Sequence, residues 1–113
     1  MNHKILLVCV LGLFAGQTSA MGVSGNAAAG KQKAVTVCAA CHGADGNKTL
    51  DNSYPKLAGQ YPDYLLKALK EYKSGKRVNA IMAGQVQALT DADMANLALY
   101  YGSLKSQIGT LPK

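Results

Sequence analysis

The sequence has no tryptophan and one phenylalanine, Phe14; six tyrosines carry the rest of its aromatic mass. It has two histidines, three cysteines, and six acidic residues against twelve Lys and Arg. No apolar run reaches the roughly 20 residues that a bilayer-spanning helix requires, and no segment sustains the alternating pattern of a half-buried strand. Sheet-based folds and a spanning anchor are therefore not expected. The scarcity of His and Cys leaves few ligands for a protein-bound metal. The formal net charge of +6 admits a nucleic acid, an acidic protein or an anionic surface as partner.

The start of the chain narrows that choice. "MNHKILLVCVLGLFAGQTSA" carries Lys4, then an apolar stretch from Ile5 to about Ala15, then small and polar residues. This is the layout of a secretory signal peptide, with cleavage expected after Ala20. Residues 1–20 are read as the leader and 21–113 as one domain. Cys9 lies inside the apolar stretch and follows "LLV" rather than a small residue, which argues against a lipid anchor. Cleavage removes Cys9 and His3, so Cys38, Cys41 and His42 remain as the only Cys and His residues. Export argues against nucleic acid, and no stable membrane insertion is expected after cleavage. A domain this small often needs a staple or a cofactor to complete its core.

Three helices are expected. Asn26 is a plausible cap for a first helix over about 27–38, which contains Gly30. Pro62 and Gly75 bracket a second over 62–74, with Leu65, Leu66, Leu69 and Tyr72 on one face and Lys67, Lys70 and Lys73 on the other. Thr90 and Asp93 read as an acidic capping box for a third over 91–105, with Met94, Leu97, Ala98, Tyr101 and Leu104 at helical spacing. A shorter turn is expected over 84–89. Long stretches without helical signals, 43–59 and 75–83, make sense in so small a domain if they wrap something other than protein.

Residues 38–42 read "CAACH". A C-x-x-C pair serves as a redox dithiol, as half of a zinc site, or in covalent haem attachment. Zinc wants four ligands, and the mature chain offers three Cys and His with no clustered carboxylates beside them. A redox dithiol needs no following His and usually opens a helix after a strand; this pair ends a helix. Haem attachment takes two thiols, each adding to one vinyl group, with the next residue's imidazole beneath the ring. C-x-x-C-H is the sequence form of that geometry. His42 is then an iron ligand, and the sixth ligand must be found elsewhere. Met21, Met82 and Met94 are the thioethers available outside the leader. Met21 would be the mature N-terminus, and Met94 sits on an apolar helical stripe where Met is usually core filler. Met82 lies in "RVNAIMAGQ", which reads as loop, forty residues beyond His42. It is the expected partner ligand.

These features resemble the class I c-type cytochromes, and most closely the small soluble bacterial c-553 type. "CAACHG", "YPKLAGQ" at 54–60, "GKRVNAIM" at 75–82 and "ALTDADMANLALYYGSL" at 88–104 carry the resemblance. It implies an all-α fold, three main helices plus a short one around one covalently bound haem c, with His42 and Met82 on the iron. It implies that Gly30 lets the first and last helices cross closely, against Leu97 and Tyr101 or Tyr100. It also implies that the Pro55 carbonyl accepts from the His42 ring, that Gln60, Lys56 and Arg77 lie near the haem propionates, and that Asn79 stands near the methionine.

The function so implied is electron transfer rather than enzymatic catalysis: a monohaem one-electron carrier in a periplasmic or respiratory chain. It would be a monomer or weak oligomer, passing electrons at a haem edge near Cys38 and Cys41. Redox proteins, with an acidic docking face as one expectation, would be its partners. The lysines of the second helix read first as a solvated face and second as a steering surface. The alternatives are a haem subunit of a larger oxidoreductase, and a haem enzyme or gas sensor with a labile sixth ligand.

Overall fold

The computed structural model describes residues 22–108. The expected leader 1–20, its cleavage point, Met21, His3 and Cys9 lie outside the described residues. Within them the regular structure is entirely helical: α1 Ala27–Val37, α2 Ala39–His42, α3 Pro62–Ser74, α4 Ala80–Val86 and α5 Asp91–Ser103.

Each long helix begins where its capping residue stands. The Asn26 side chain accepts the Ala29 N–H at 3.0 Å. Thr90 Oγ1 accepts from Asp93 N at 3.1 Å, and the Asp93 carboxylate accepts from Thr90 N at 3.0 Å, a reciprocal capping box. Pro62 opens α3, where its missing N–H is no loss, and Gly75 closes it at φ 80°. Two boundaries differ from expectation by a residue or two. Cys38 is the C-cap of α1, and α5 ends at Ser103 with Leu104 already extended.

The short helix is the larger difference. It runs over Ala80–Val86 rather than 84–89, so Met82 sits in a helical turn and not in a loop. The reason is Asn79, whose side chain accepts the Met82 N–H at 3.0 Å and starts the helix early.

α1 and α5 cross at Gly30. A Cβ there would stand 2.0 Å from the Asn96 carbonyl oxygen and 2.9 Å from Tyr100 Cβ, so only glycine admits this approach. Of the two adjacent tyrosines it is therefore Tyr100 that packs at the crossing. Asn96 Oδ1 also accepts from Asn26 N at 2.7 Å, and Lys33 pairs with Asp93 at 3.6 Å. α3 packs on α5 and α4 chiefly on α3. The core joins Ala34, Leu65, Val86, Leu89, Met94 and Leu97 with Ala98, Tyr100 and Tyr101. Met94 is thus core filler, as its stripe position suggested.

The long loop after α2 is held by the backbone. Leu50 N donates to Cys41 O at 2.9 Å, Leu57 N to Gly46 O at 2.8 Å, and Gly59 N to Tyr101 O at 2.9 Å. Buried Asn47 donates to Lys105 O and accepts from Gln107 N, both at 2.9 Å, which ties the loop to the far end of the chain.

Candidate haem-binding site

α1 runs almost unbroken into α2: Cys38 N donates to Ala34 O at 2.9 Å and His42 N to Cys38 O at 3.0 Å. This turn places Cys38, Cys41 and His42 on one wall of a cavity of about 610 Å³. That is the range of sites that enclose a bound small molecule, roughly 300–1,000 Å³. α3 adds Leu65, Leu69 and Tyr72 to the lining; α4 adds Met82 and Val86; α5 adds Leu97, Ala98 and Tyr101.

His42 is 6% exposed. Its Nδ1 lies 2.8 Å from the Pro55 carbonyl oxygen. A carbonyl only accepts, so Nδ1 carries the proton and donates, and Nε2 keeps its lone pair free for a metal. The Tyr54 ring stands edge-on to the imidazole at 6.2 Å between centroids. The geometry that the resemblance implied for Pro55 is thus present.

Cys38 and Cys41 are not joined in a disulfide, and both are half-buried. Burial pushes the Cys38 thiol up to about 11; the Tyr101 hydroxyl pulls it down and Cys41 pushes it further up. A thiol raised by burial is unlike the low-pKa nucleophile of a redox dithiol. Among the described residues no three His, Cys, Asp or Glu side chains are grouped to hold a metal ion.

Met82 is half-buried on the α4 side of the same cavity, while Met94 is absent from its lining. Asn79 stands beside Met82 as its helix cap, bonded to its backbone. Gln60, Lys56 and Arg77 all line the cavity. Gln60 Oε1 accepts from Tyr61 N at 2.8 Å, which leaves its amide N–H₂ to donate. Arg77 is already engaged: its Nη2 is 3.2 Å from Glu71 Oε2, and its guanidinium lies over the Tyr64 and Tyr72 rings at 5.7 and 5.5 Å. Tyr64 and Glu71 raise its pKa above the ordinary arginine value.

Sequence reasoning missed the cavity-facing tyrosines. Tyr54, Tyr64, Tyr72 and Tyr101 all line it. The Tyr101 hydroxyl is buried with no hydrogen-bond partner. Tyr72 and Tyr101 stood on apolar helix faces in the sequence, but for Tyr54 and Tyr64 the signal was compositional: with no Trp and one Phe, tyrosine had to supply any aromatic wall.

These residues fit a covalently attached haem. The cavity is large and mostly apolar, two thiols and a free imidazole Nε2 share one wall, a thioether lies on another, and one buried hydroxyl lacks a partner. An all-α domain built around such a pocket defines a protein of the c-type cytochrome class.

The comparisons with known proteins agree. The family profile for cytochrome c matches residues 27–105, and the chain belongs to the cytochrome c family. It is 48% identical over 107 residues to cytochrome c4 of Pseudomonas aeruginosa, covering 95% of this chain and 51% of that one. It is 45% identical over 83 residues to cytochrome c-554(548) of Halomonas halodenitrificans, covering 71% of this chain and 98% of that one. The solved structure of reduced cytochrome c4 from Pseudomonas stutzeri superposes with a TM-score of 0.69 at 39% identity, over 76% of this chain and 49% of the other. The chain spans about half the length of the cytochrome c4 relatives it matches.

Proposed function

We propose that the protein is a monohaem one-electron carrier, with haem c joined to Cys38 and Cys41 and its iron held between His42 and Met82. The observation that carries this reading is that one cavity is lined both by His42, whose Nε2 is freed by the Pro55 bond, and by Met82. Haem c supplies one-electron storage on iron. The chain supplies the rest. Cys38 and Cys41 would hold the group as thioethers, each sulfur exchanging its proton for one covalent bond to a former vinyl carbon. Pro55 fixes the His42 tautomer. Met82, a thioether ligand, favours the ferrous state. Leu65, Leu69, Val86 and Leu97 exclude water, which disfavours the extra ferric charge. Gln60, Lys56 and Arg77 are donors for the propionates. With His42 and Met82 both serving as iron ligands, the site would offer a substrate no open position, which supports electron transfer over catalysis.

The leader supports export to the periplasm, where redox proteins are the partners. Among the described residues no helix is long and apolar enough to cross a membrane. A haem subunit of a larger oxidoreductase is a second reading. A thiosulfate dehydrogenase electron acceptor from Thiomonas intermedia, 43% identical over 68 residues, supports it. So does a cytochrome subunit of sulfide dehydrogenase from Chlorobaculum tepidum, 33% identical over 70 residues. Stoichiometric co-purification with an enzyme would favour that reading over a free carrier.

The deciding measurements are the mass of the secreted protein and its reduced-minus-oxidised spectrum with a redox titration. The expected mass is the chain without residues 1–20 plus one haem. A chain without the added group would overturn the proposal. Absence of the weak long-wavelength band of methionine-ligated ferric haem at neutral pH, or tight CO binding by the ferrous protein, would overturn the Met82 assignment and favour a labile-ligand enzyme or sensor.

A further inference from the structure

α5 carries two adjacent buried tyrosines with different fates. The Tyr100 hydroxyl donates to Ala44 O at 3.0 Å. The Tyr101 hydroxyl, on a residue only 3% exposed, is the one buried side-chain oxygen or nitrogen among the described residues without a partner. A dry, unpaired hydroxyl is expensive, and native structures rarely keep one without a reason. The ring alone would serve as core filler, and phenylalanine would supply it without the cost.

The surroundings name the partner. Tyr101 and Cys38 line the same cavity, and Cys38 packs against the core cluster that holds Tyr101. Each perturbs the other's ionisation. Burial first, and Cys38 next, push the Tyr101 phenol above its ordinary value; Tyr101 pulls against the burial that raises Cys38. As a free thiol, Cys38 can itself donate as well as accept, and the two groups, close enough to perturb each other, do not reach the geometry of a full hydrogen bond. As a thioether the sulfur has no proton, and it can only accept.

We propose that Tyr101 is a positioning residue for the covalent cofactor, its hydroxyl donating to the Cys38 sulfur once that sulfur has become a thioether. The inference rests on the haem reading above. The bond satisfies the orphaned hydroxyl and orients the thioether on the α5 side of the cavity. It also turns the positive end of the O–H dipole toward the cofactor's edge. In a dry site that dipole favours the reduced, less positive form. Cys41 differs, because its tyrosine neighbour, Tyr54, is half-exposed and its hydroxyl has water as an alternative partner.

The test is a pair of variants of the secreted, haem-bearing protein. Tyr101→Phe keeps the ring and is expected to keep full covalent haem, with the midpoint potential shifted downward. Tyr100→Phe, which loses the bond to Ala44, is expected to unfold at lower temperature with its potential unmoved. In the reduced wild-type protein, NMR should show a slowly exchanging Tyr101 hydroxyl proton with a nuclear Overhauser contact to the Cys38 β-protons. An unchanged or raised potential in haem-bearing Tyr101→Phe overturns the assignment. So does a Tyr101 hydroxyl proton that exchanges at solvent rates or contacts another group, a result that does not depend on the variant folding. Wild-type protein without covalent haem overturns the underlying haem reading instead.

Discussion

The His42 and Met82 walls of the cavity are built differently. On the His42 side, α1 and α2 form a nearly continuous rod locked to α5 at Gly30, and the loop that follows is stitched by backbone bonds at Gly46, Leu50 and Gly59. His42 is buried and its free ring nitrogen is chosen for it by Pro55. On the Met82 side stands α4, seven residues long, packed chiefly on α3. Met82 is only half-buried, its backbone is held by one Asn79 cap, and the adjoining Val78 is 93% exposed. The difference teaches which of the two proposed ligands the fold holds by itself. The His42 wall is preorganised by packing, whereas the Met82 wall has fewer fixed contacts of its own.

The largest expected effect comes from breaking the rigid wall. His42→Ala or Cys38→Ala should leave little folded, haem-bearing protein, because a cofactor that binds only the native state stabilises it in proportion to its affinity. Circular dichroism and covalent haem content would check this, and a stable folded apoprotein would show that the helices need the cofactor less than proposed. Met82→Ala should be milder in fold and decisive in spectrum. Covalent haem stays, the long-wavelength ferric band disappears, the midpoint potential drops and the ferrous protein binds CO.

Smaller effects test how each wall is held. Gly30→Ala forces a methyl into the Asn96 carbonyl and should cost about 1–3 kcal/mol by thermal or denaturant unfolding. Asn79→Ala removes only the cap of α4 and should cost about 1 kcal/mol. Its sharper signature would be weakened Met82 ligation, read as easier displacement of the sixth ligand by added imidazole.

The smallest effect is the acid limb of stability. The Lys48 and Asn47 amides hold the Asp45 carboxyl below its usual value on the His42 side. Lys67 and then Arg77 do the same for Glu71, the acid that steadies Arg77 on the other side. Depressed carboxylates contribute stability that is present above their unfolded values, about 4, and lost as pH falls through the lower folded ones. Asp45→Asn or Glu71→Gln should each flatten the loss of stability below about pH 4, seen as a shallower fall of melting temperature with acid.

What the sequence disclosed follows the same division. The Cys38–Cys41–His42 wall was legible because its chemistry demands a fixed local spacing, and the long helices because their signals are local too: Asn26, Pro62 with Gly75, Thr90 with Asp93. α4 was misplaced because two turns are too short to show an apolar stripe, although Asn79 carried the start signal. Met82 emerged by elimination among thioethers, without any hint that it sits in a helix. The division of labour between Tyr100 and Tyr101 was not legible. Neighbours on a helix point about 100° apart; the stripe placed Tyr101 with Leu97 and Ala98, but only the Gly30 crossing shows that Tyr100 packs there.

The Asn47 clamp has a consequence for timing. Its bonds to Lys105 and Gln107 span 58 and 60 residues. They cannot form until residues 105 and 107 have been synthesised, and a chain stopped at residue 104 would lack both. The thiols of the attachment motif therefore emerge well before the last stitch that fastens the loop beside them. If the cavity receives haem c as proposed, the clasp on the loop beside it lies 58 and 60 residues downstream of Asn47 and closes after the attachment residues have emerged.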